Sequence, residues 1–85
     1  MAELRFEWDP DKDSANLKKH GVPFHRAQYA FADLRRVIAR DLMHSQSEER
    51  FYCFGEVDDG ILTVRFAYRA SVILLRQIPR SLLRG

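Results

Sequence analysis

Eighty-five residues, 46% of them apolar, suffice for one small domain around a single core and leave no room for a second domain or a linker. The lone cysteine, Cys53, excludes an internal disulfide, and no apolar run approaches the roughly 18 residues of a membrane span. Net charge is +2 but unevenly spread: residues 1–59 hold nine Lys or Arg against twelve Asp or Glu, whereas residues 60–85 hold five arginines and no acid.

That last third is where a polyanion would be met, although the same arginines would equally serve as solvated charges or as partners for the acidic first helix. The N-terminal MAELRFEWDP is too acidic for a signal peptide, so the expected location is cytoplasmic.

Leu4 to Trp8 alternates apolar and charged side chains, the period-two pattern of a strand with one buried face. A helix follows whose ends are each marked twice. Asp9 offers an N-cap oxygen and Pro10 fits the first helical position, with Asp11 and Asp13 in the first turn. Lys18, Lys19 and His20 fall in the last turn, matching the helix dipole, and Gly21 can take the left-handed stop. The apolar face of this helix, Ala15 and Leu17, is narrow, which predicts a surface element supported largely by its caps and by packing against its neighbours.

After Val22 and Pro23, the residues Phe24, Ala27, Gln28 and Phe31 share one helical face, with Ala30 and Leu34 beside it, predicting a second helix turned toward the core. Val37 to Ala39 reads as a strand, and LMHSQSEE after Asp41 as a polar loop. Arg50 to Val57 and Ile61 to Tyr68 are strands joined through Asp58, Asp59 and Gly60, a strong hairpin signal. Along the second, Leu62, Val64, Phe66 and Tyr68 share the apolar face while Thr63, Arg65 and Arg69 share the other. Val72 to Ile78 has the composition of a last strand, which Pro79 should end. The predicted class is α+β: one strand, two helices, then an antiparallel meander of about four strands, with the helices on one face of the sheet and the other face open.

The run FEWDPDKDSANLKKHGVPF, followed by Ala27, Phe31 and Asp33 and then by the EERF of Glu48 to Phe51 and by Gly55, resembles the BrnT family of bacterial toxins. The likeness covers residues 4 to 69. It implies a RelE-like ribonuclease that inhibits translation, the toxin half of a type II toxin–antitoxin pair. It also implies RNA as substrate and, as partner, a DNA-binding antitoxin of the BrnA type covering the open basic face. The oligomer would be a homodimer or a toxin–antitoxin hetero-oligomer. Beyond Ser71 the chain departs from the pattern. Leu74 stands about where the family carries an arginine inside an apolar run, and Arg76 would replace it by a two-residue slip that keeps the same strand face. The alternative is a catalytically impaired module that keeps the fold and the antitoxin surface.

A ribonuclease working without metal must deprotonate a 2′-hydroxyl, stabilise a pentacoordinate phosphate and protonate the leaving oxygen. Arg50 and Arg65 are the first candidates for the phosphate; the bland reading pairs them on the sheet surface with Glu48 or Glu56, and the resemblance favours Arg50. His20 and His44 are candidates for proton transfer, since imidazole titrates near neutral pH. For His20 the stronger alternative is a helix C-cap that fits the dipole, and for His44 plain solvation, while His25 is expected at the surface. Glu49 is a candidate base or a solubilising charge. Lys19, Arg69 and Arg76 are candidate contacts to the RNA backbone. Cys53, alternating with aromatics, reads as a buried inert thiol. With no metal-ligand spacing and no glycine-rich phosphate loop, neither metal nor cofactor is expected.

Overall fold

The computed structural model describes residues 5–43, 47–79 and 82–83. Its elements in chain order are β1 (Arg5–Trp8), α1 (Pro10–His20), α2 (Phe24–Ala27), a 3-10 helix (Gln28–Ala32), β2 (Val37–Arg40), β3 (Arg50–Val57), β4 (Gly60–Arg69), β5 (Val72–Gln77) and the two-residue β6 (Leu82–Leu83).

Helix α1 begins and ends where its markers predict. The Asp9 carboxylate accepts from the Asp11 N–H at 2.8 Å, and Gly21 takes φ 74°, donating its N–H to the Leu17 carbonyl at 2.8 Å. A second cap-like bond ties this helix forward: the Asp13 carboxylate accepts from the Phe24 N–H at 2.8 Å, which fixes where α2 starts. The burial pattern corrects the sequence reading. Ala15 and Leu17 are exposed, and the buried residue of α1 is Asn16. Its amide donates to the Val22 carbonyl at 3.1 Å and accepts from the Ile78 N–H at 3.0 Å, so a polar side chain joins the helix to the segment after β5.

The second predicted helix is shorter and less regular than its periodicity suggests. After one α-helical turn it tightens into the 3-10 helix, and the chain turns again before Leu34, which is 95% exposed rather than beside the core. Phe24, Ala27, Ala30 and Phe31 do reach the core as predicted. The tightening goes with a close approach: a Cβ at Gly55 would stand 2.2 Å from the Ala30 carbonyl oxygen, so only glycine lets β3 lie against this backbone.

The sheet runs in the order β1-β5-β4-β3-β2, with β6 against β4. Strands β2 to β5 form the expected antiparallel meander, but the sheet is mixed, because β1 pairs with β5 in parallel. The β3–β4 turn is Asp58–Asp59, with φ 48° at Asp58 and Gly60 already paired with Val57. Aspartate tolerates the left-handed region well enough that the glycine is not needed there. One face of the sheet carries Phe51, Cys53, Leu62, Val64, Phe66, Ile73 and Leu75, packed with Phe24 and Phe31. Tyr68 lies on the same strand face but is more than half exposed, edge-on to Phe51 and Phe66. The register Tyr52↔Arg65 and Arg50↔Ala67 sets Arg50, Tyr52 and Arg65 on the opposite face.

The regular pairing of β4 with β5 breaks between Arg65 and Phe66: Phe66 faces Leu75, whereas Arg65 faces Gln77. Arg76 is the extra residue of this bulge. A bulge re-aims side chains that strict alternation would send to opposite faces, and here both Arg76 and Gln77 line the same cleft as Arg65.

A cationic cleft between the first helix and the open sheet face

The cleft encloses about 310 Å³ and is lined by Lys12, Ala15, Asn16, Lys19 and His20 from α1, and by Arg50, Arg65, Arg76 and Gln77 from β3, β4 and β5. Two of the cap residues that end α1, Lys19 and His20, thus face the arginines of the sheet. The floor is cationic because period two puts Arg50 and Arg65 outward on adjacent strands and the bulge adds Arg76.

Each arginine is held. Arg65 lies with its Nε 2.9 Å from the Asp41 carboxylate, a close ion pair rather than an aligned hydrogen bond. One terminal nitrogen donates to the Gln77 side-chain oxygen and the other to the Tyr52 hydroxyl at 2.8 Å, with the guanidinium 5.3 Å from the Tyr52 ring centroid. Arg76 makes a bidentate pair with Glu48, Nε and Nη2 donating at 2.8 and 2.9 Å. Arg50 Nε stands 3.4 Å from the same carboxylate. Arg76 beside it holds the Glu48 carboxyl below its ordinary value, with Arg50 adding to the effect. Lys12, Lys19 and the three arginines outnumber Asp41 and Glu48 by three charges, so the cleft keeps a cationic excess after its internal pairs are made.

Of the residues singled out from sequence, Arg50, Arg65, Arg76, Lys19 and His20 come together here. Arg69 does not: it ends β4 at an exposed position beside an adjoining, smaller cleft with Glu7, Asp9 and Leu74, which Arg76 also lines. Glu49 turns away, exposed and paired with Arg40 at 3.1 Å. His44 lies outside the described residues. His25 is exposed, stacked edge-on to Tyr29, as expected of a surface residue. Cys53 is fully buried, and burial pushes its thiol up to about 11. The notion that the C-terminal arginines pair with the acidic first helix is corrected for Arg65 and Arg76, whose partners are Asp41 and Glu48.

Sequence reasoning missed Lys12, Asn16, Tyr52 and Gln77. Lys12 was legible in principle, since it precedes Asn16 and Lys19 by four and seven residues and so shares their helical face. Gln77 was not, because its direction depends on the bulge. Among the described residues no group of three or more His, Cys, Asp or Glu is placed to hold a metal ion, and no helix is long and apolar enough to cross a membrane.

The sequence pattern of a family described as "Ribonuclease toxin, BrnT, of type II toxin-antitoxin system" matches residues 8–80. The chain belongs to the BrnT family. The match runs from the last residue of β1 to beyond the end of β5, and so includes every residue that lines the cleft. No curated protein matches the sequence. Membership in this family makes the chain a ribonuclease toxin of a type II toxin–antitoxin system, with an RNA substrate and an antitoxin partner.

Proposed function

We propose that the cleft between α1 and the open sheet face is the ribonuclease site, and that it cleaves RNA without a metal ion. The observation that carries this reading is the convergence of Arg50, Arg65 and Arg76, from three neighbouring strands, with Lys12, Lys19 and His20 in one open cleft. Phosphoryl transfer needs positive charge where the pentacoordinate phosphorane gathers negative charge, and guanidinium forks meet phosphate oxygens with two parallel N–H donors. Among the described residues, the bonds Arg65 makes leave one N–H on each terminal nitrogen, and those of Arg76 leave its whole Nη1 group.

In this reading the ribose 2′-hydroxyl attacks the adjacent phosphorus. The His20 imidazole takes its proton, and the 5′-oxygen leaves with a proton from the solvent that reaches the open cleft. The products are a 2′,3′-cyclic phosphate and a 5′-hydroxyl, so no water is consumed and no metal is required. Lys12 and Lys19, along one side of α1, hold the flanking backbone. Arg76 takes the part that the resemblance gives to an arginine at position 74. Leu74 itself is buried and faces the smaller cleft. Cleavage of cytoplasmic RNA of a RelE-like kind would inhibit translation, and a BrnA-type antitoxin would silence the toxin by covering the same face.

The test is incubation of purified protein with RNA in the presence of a chelator, with Arg65→Ala and Arg76→Ala beside the wild type. The expected result is cleavage leaving 5′-hydroxyl ends, reduced about 100-fold in each variant, in line with the loss of one transition-state donor. Arg76→Lys should recover little, because an ammonium cannot supply the fork. Intact RNA together with normal growth on expression would reject the proposal. Antitoxin binding retained without cleavage would favour the impaired-module alternative.

A further inference from the structure

Three arginines line the cleft, but the carboxylates that hold them do not. Asp41 directly follows β2 and Glu48 stands two residues before β3, so they occupy the two ends of one connecting loop. The base of that loop is closed by the Asp41 N–H, which donates to the Arg50 carbonyl at 2.8 Å. The contacts make a ring. Glu48 holds Arg76, whose chain neighbour Gln77 accepts from Arg65; Arg65 pairs with Asp41, Asp41 bonds Arg50, and Arg50 returns to Glu48.

We propose that Asp41 and Glu48 are positioning residues for RNA cleavage, which fix the guanidinium groups of Arg65 and Arg76 behind the cleft so that their remaining N–H donors face a single phosphate. The inference rests on the reading of the cleft as the ribonuclease site. Its grounds are geometric. Arginine has four rotatable side-chain bonds, and a fork left loose must be ordered at the moment of reaction, whereas one already held does not. Asp41 is 3% exposed and the Arg65 side chain 14%, so this pair is set into the wall of the cleft and not draped on the surface. Glu48 takes the Nε–Nη2 edge of Arg76. That choice turns the other edge of the same guanidinium away from the carboxylate.

If charge alone mattered, two carboxylates beside a phosphate site would only weaken it, and removing one would improve RNA binding. Positioning has the opposite consequence for rate. The experiment therefore compares wild-type protein with Glu48→Gln, Glu48→Asp and Asp41→Asn. Three readings are taken: single-turnover cleavage of a short RNA at saturating protein, affinity for its 2′-O-methyl analogue at two salt concentrations, and the Arg Nε–H resonances by NMR. The expected result for Glu48→Gln is a rate lower by roughly 10- to 100-fold, as removal of an orienting partner typically costs. Affinity for the analogue should change far less than the rate, the Arg76 Nε–H signal should lose its protection, and Glu48→Asp should recover part of the rate. Asp41→Asn should likewise lower the rate through Arg65, read by cleavage alone, since the Arg65 Nε–H makes no aligned hydrogen bond to Asp41. If the buried Asp41 variant fails to fold, Glu48→Gln, at a more exposed position, decides the matter. Wild-type cleavage with Glu48→Gln as fast or faster overturns the positioning role and leaves the ribonuclease reading standing. A wild type that leaves RNA intact overturns that reading, and the positioning role with it.

Discussion

Replacing Asn16 with alanine removes the one buried side chain of α1 and, with it, both hydrogen bonds that tie the helix to the rest of the fold at that point. The Ile78 N–H is then orphaned in a buried place, while the Val22 carbonyl, only half-buried, regains some water. An orphaned buried polar group costs about 1–3 kcal/mol, so the two together cost about 2–4 kcal/mol with the second partly relieved. A domain of this length holds roughly 4–13 kcal/mol in all, at about 0.05–0.15 kcal/mol per residue. The loss is thus a large fraction of the total. At about 4–8 °C per kcal/mol for a domain of this size, the melting temperature should fall by at least about 8 °C. Asn16→Asp keeps an acceptor for Ile78 but faces the Val22 carbonyl with a second acceptor and buries a carboxylate, so it should also lower the melting temperature. Thermal unfolding followed by circular dichroism reads both. Because Asn16 lines the cleft between Lys12 and Lys19, cleavage by the alanine variant should fall at temperatures below its melting transition. An Asn16→Ala protein melting within about 2 °C of wild type would refute the reasoning that this amide, rather than an apolar stripe, anchors α1.

Three further outcomes follow from the same structure. Gly55→Ala drives a Cβ into the Ala30 backbone, which has no flexible side chain to move aside; the 3-10 helix must retreat, and denaturant titration should show a loss of about 1–3 kcal/mol or more, the usual cost of overpacking. Ala70, between β4 and β5, sits at φ 55°, where a Cβ costs about 1–2 kcal/mol; Ala70→Gly should therefore hold or raise stability by up to about 1 kcal/mol despite the added freedom of the unfolded chain. Glu48 has its pKa lowered from 4.5 and Asp33 from 3.8, the latter chiefly by accepting the Glu56 and Arg35 N–H groups. Both folded values lie below the unfolded ones, so their contributions are complete above those unfolded values and disappear as pH falls through the folded ones. Acid titration should show a plateau above pH 4.5 and a decline below it whose upper part Glu48→Gln removes.

What the sequence made legible was what local rules decide. The caps of α1 were readable because Asp9, Pro10, Gly21 and the charged turns all specify the same boundaries. The outward direction of Arg65 followed from strict alternation in β4, and that of Arg50 from the register the hairpin imposes. Features set by distant partners were not readable. Nothing in Leu4 to Trp8 tells that this strand will lie parallel to β5, because period two fixes a face and not a neighbour. Leu34 fits the helical period of Phe24, Ala27 and Phe31, yet the chain has already tightened against Gly55 and turned away. Asn16 looked like any polar residue on a surface helix, since its partners lie 6 and 62 residues further along. The two-residue slip to Arg76 was legible as a strand-face argument, but its delivery into the cleft beside Gln77 depends on a bulge that no local signal marks. Glu48 was legible as a partner of Arg50, but its bidentate hold on Arg76, and the part of Asp41 altogether, were hidden for a related reason: in sequence both are loop acids, and only the closed base of the loop brings them onto arginines of β4 and β5.

The proposed site depends on three guanidinium groups from β3, β4 and β5 sharing one phosphate. A crystal structure of the protein with a 2′-O-methyl oligonucleotide tests it most directly. The expected result is a backbone phosphate within hydrogen-bond reach of Arg50, Arg65 and Arg76, with Lys12 or Lys19 on a flanking phosphate. An oligonucleotide bound beside Arg69, or on any surface that leaves the α1 cleft empty, would contradict it.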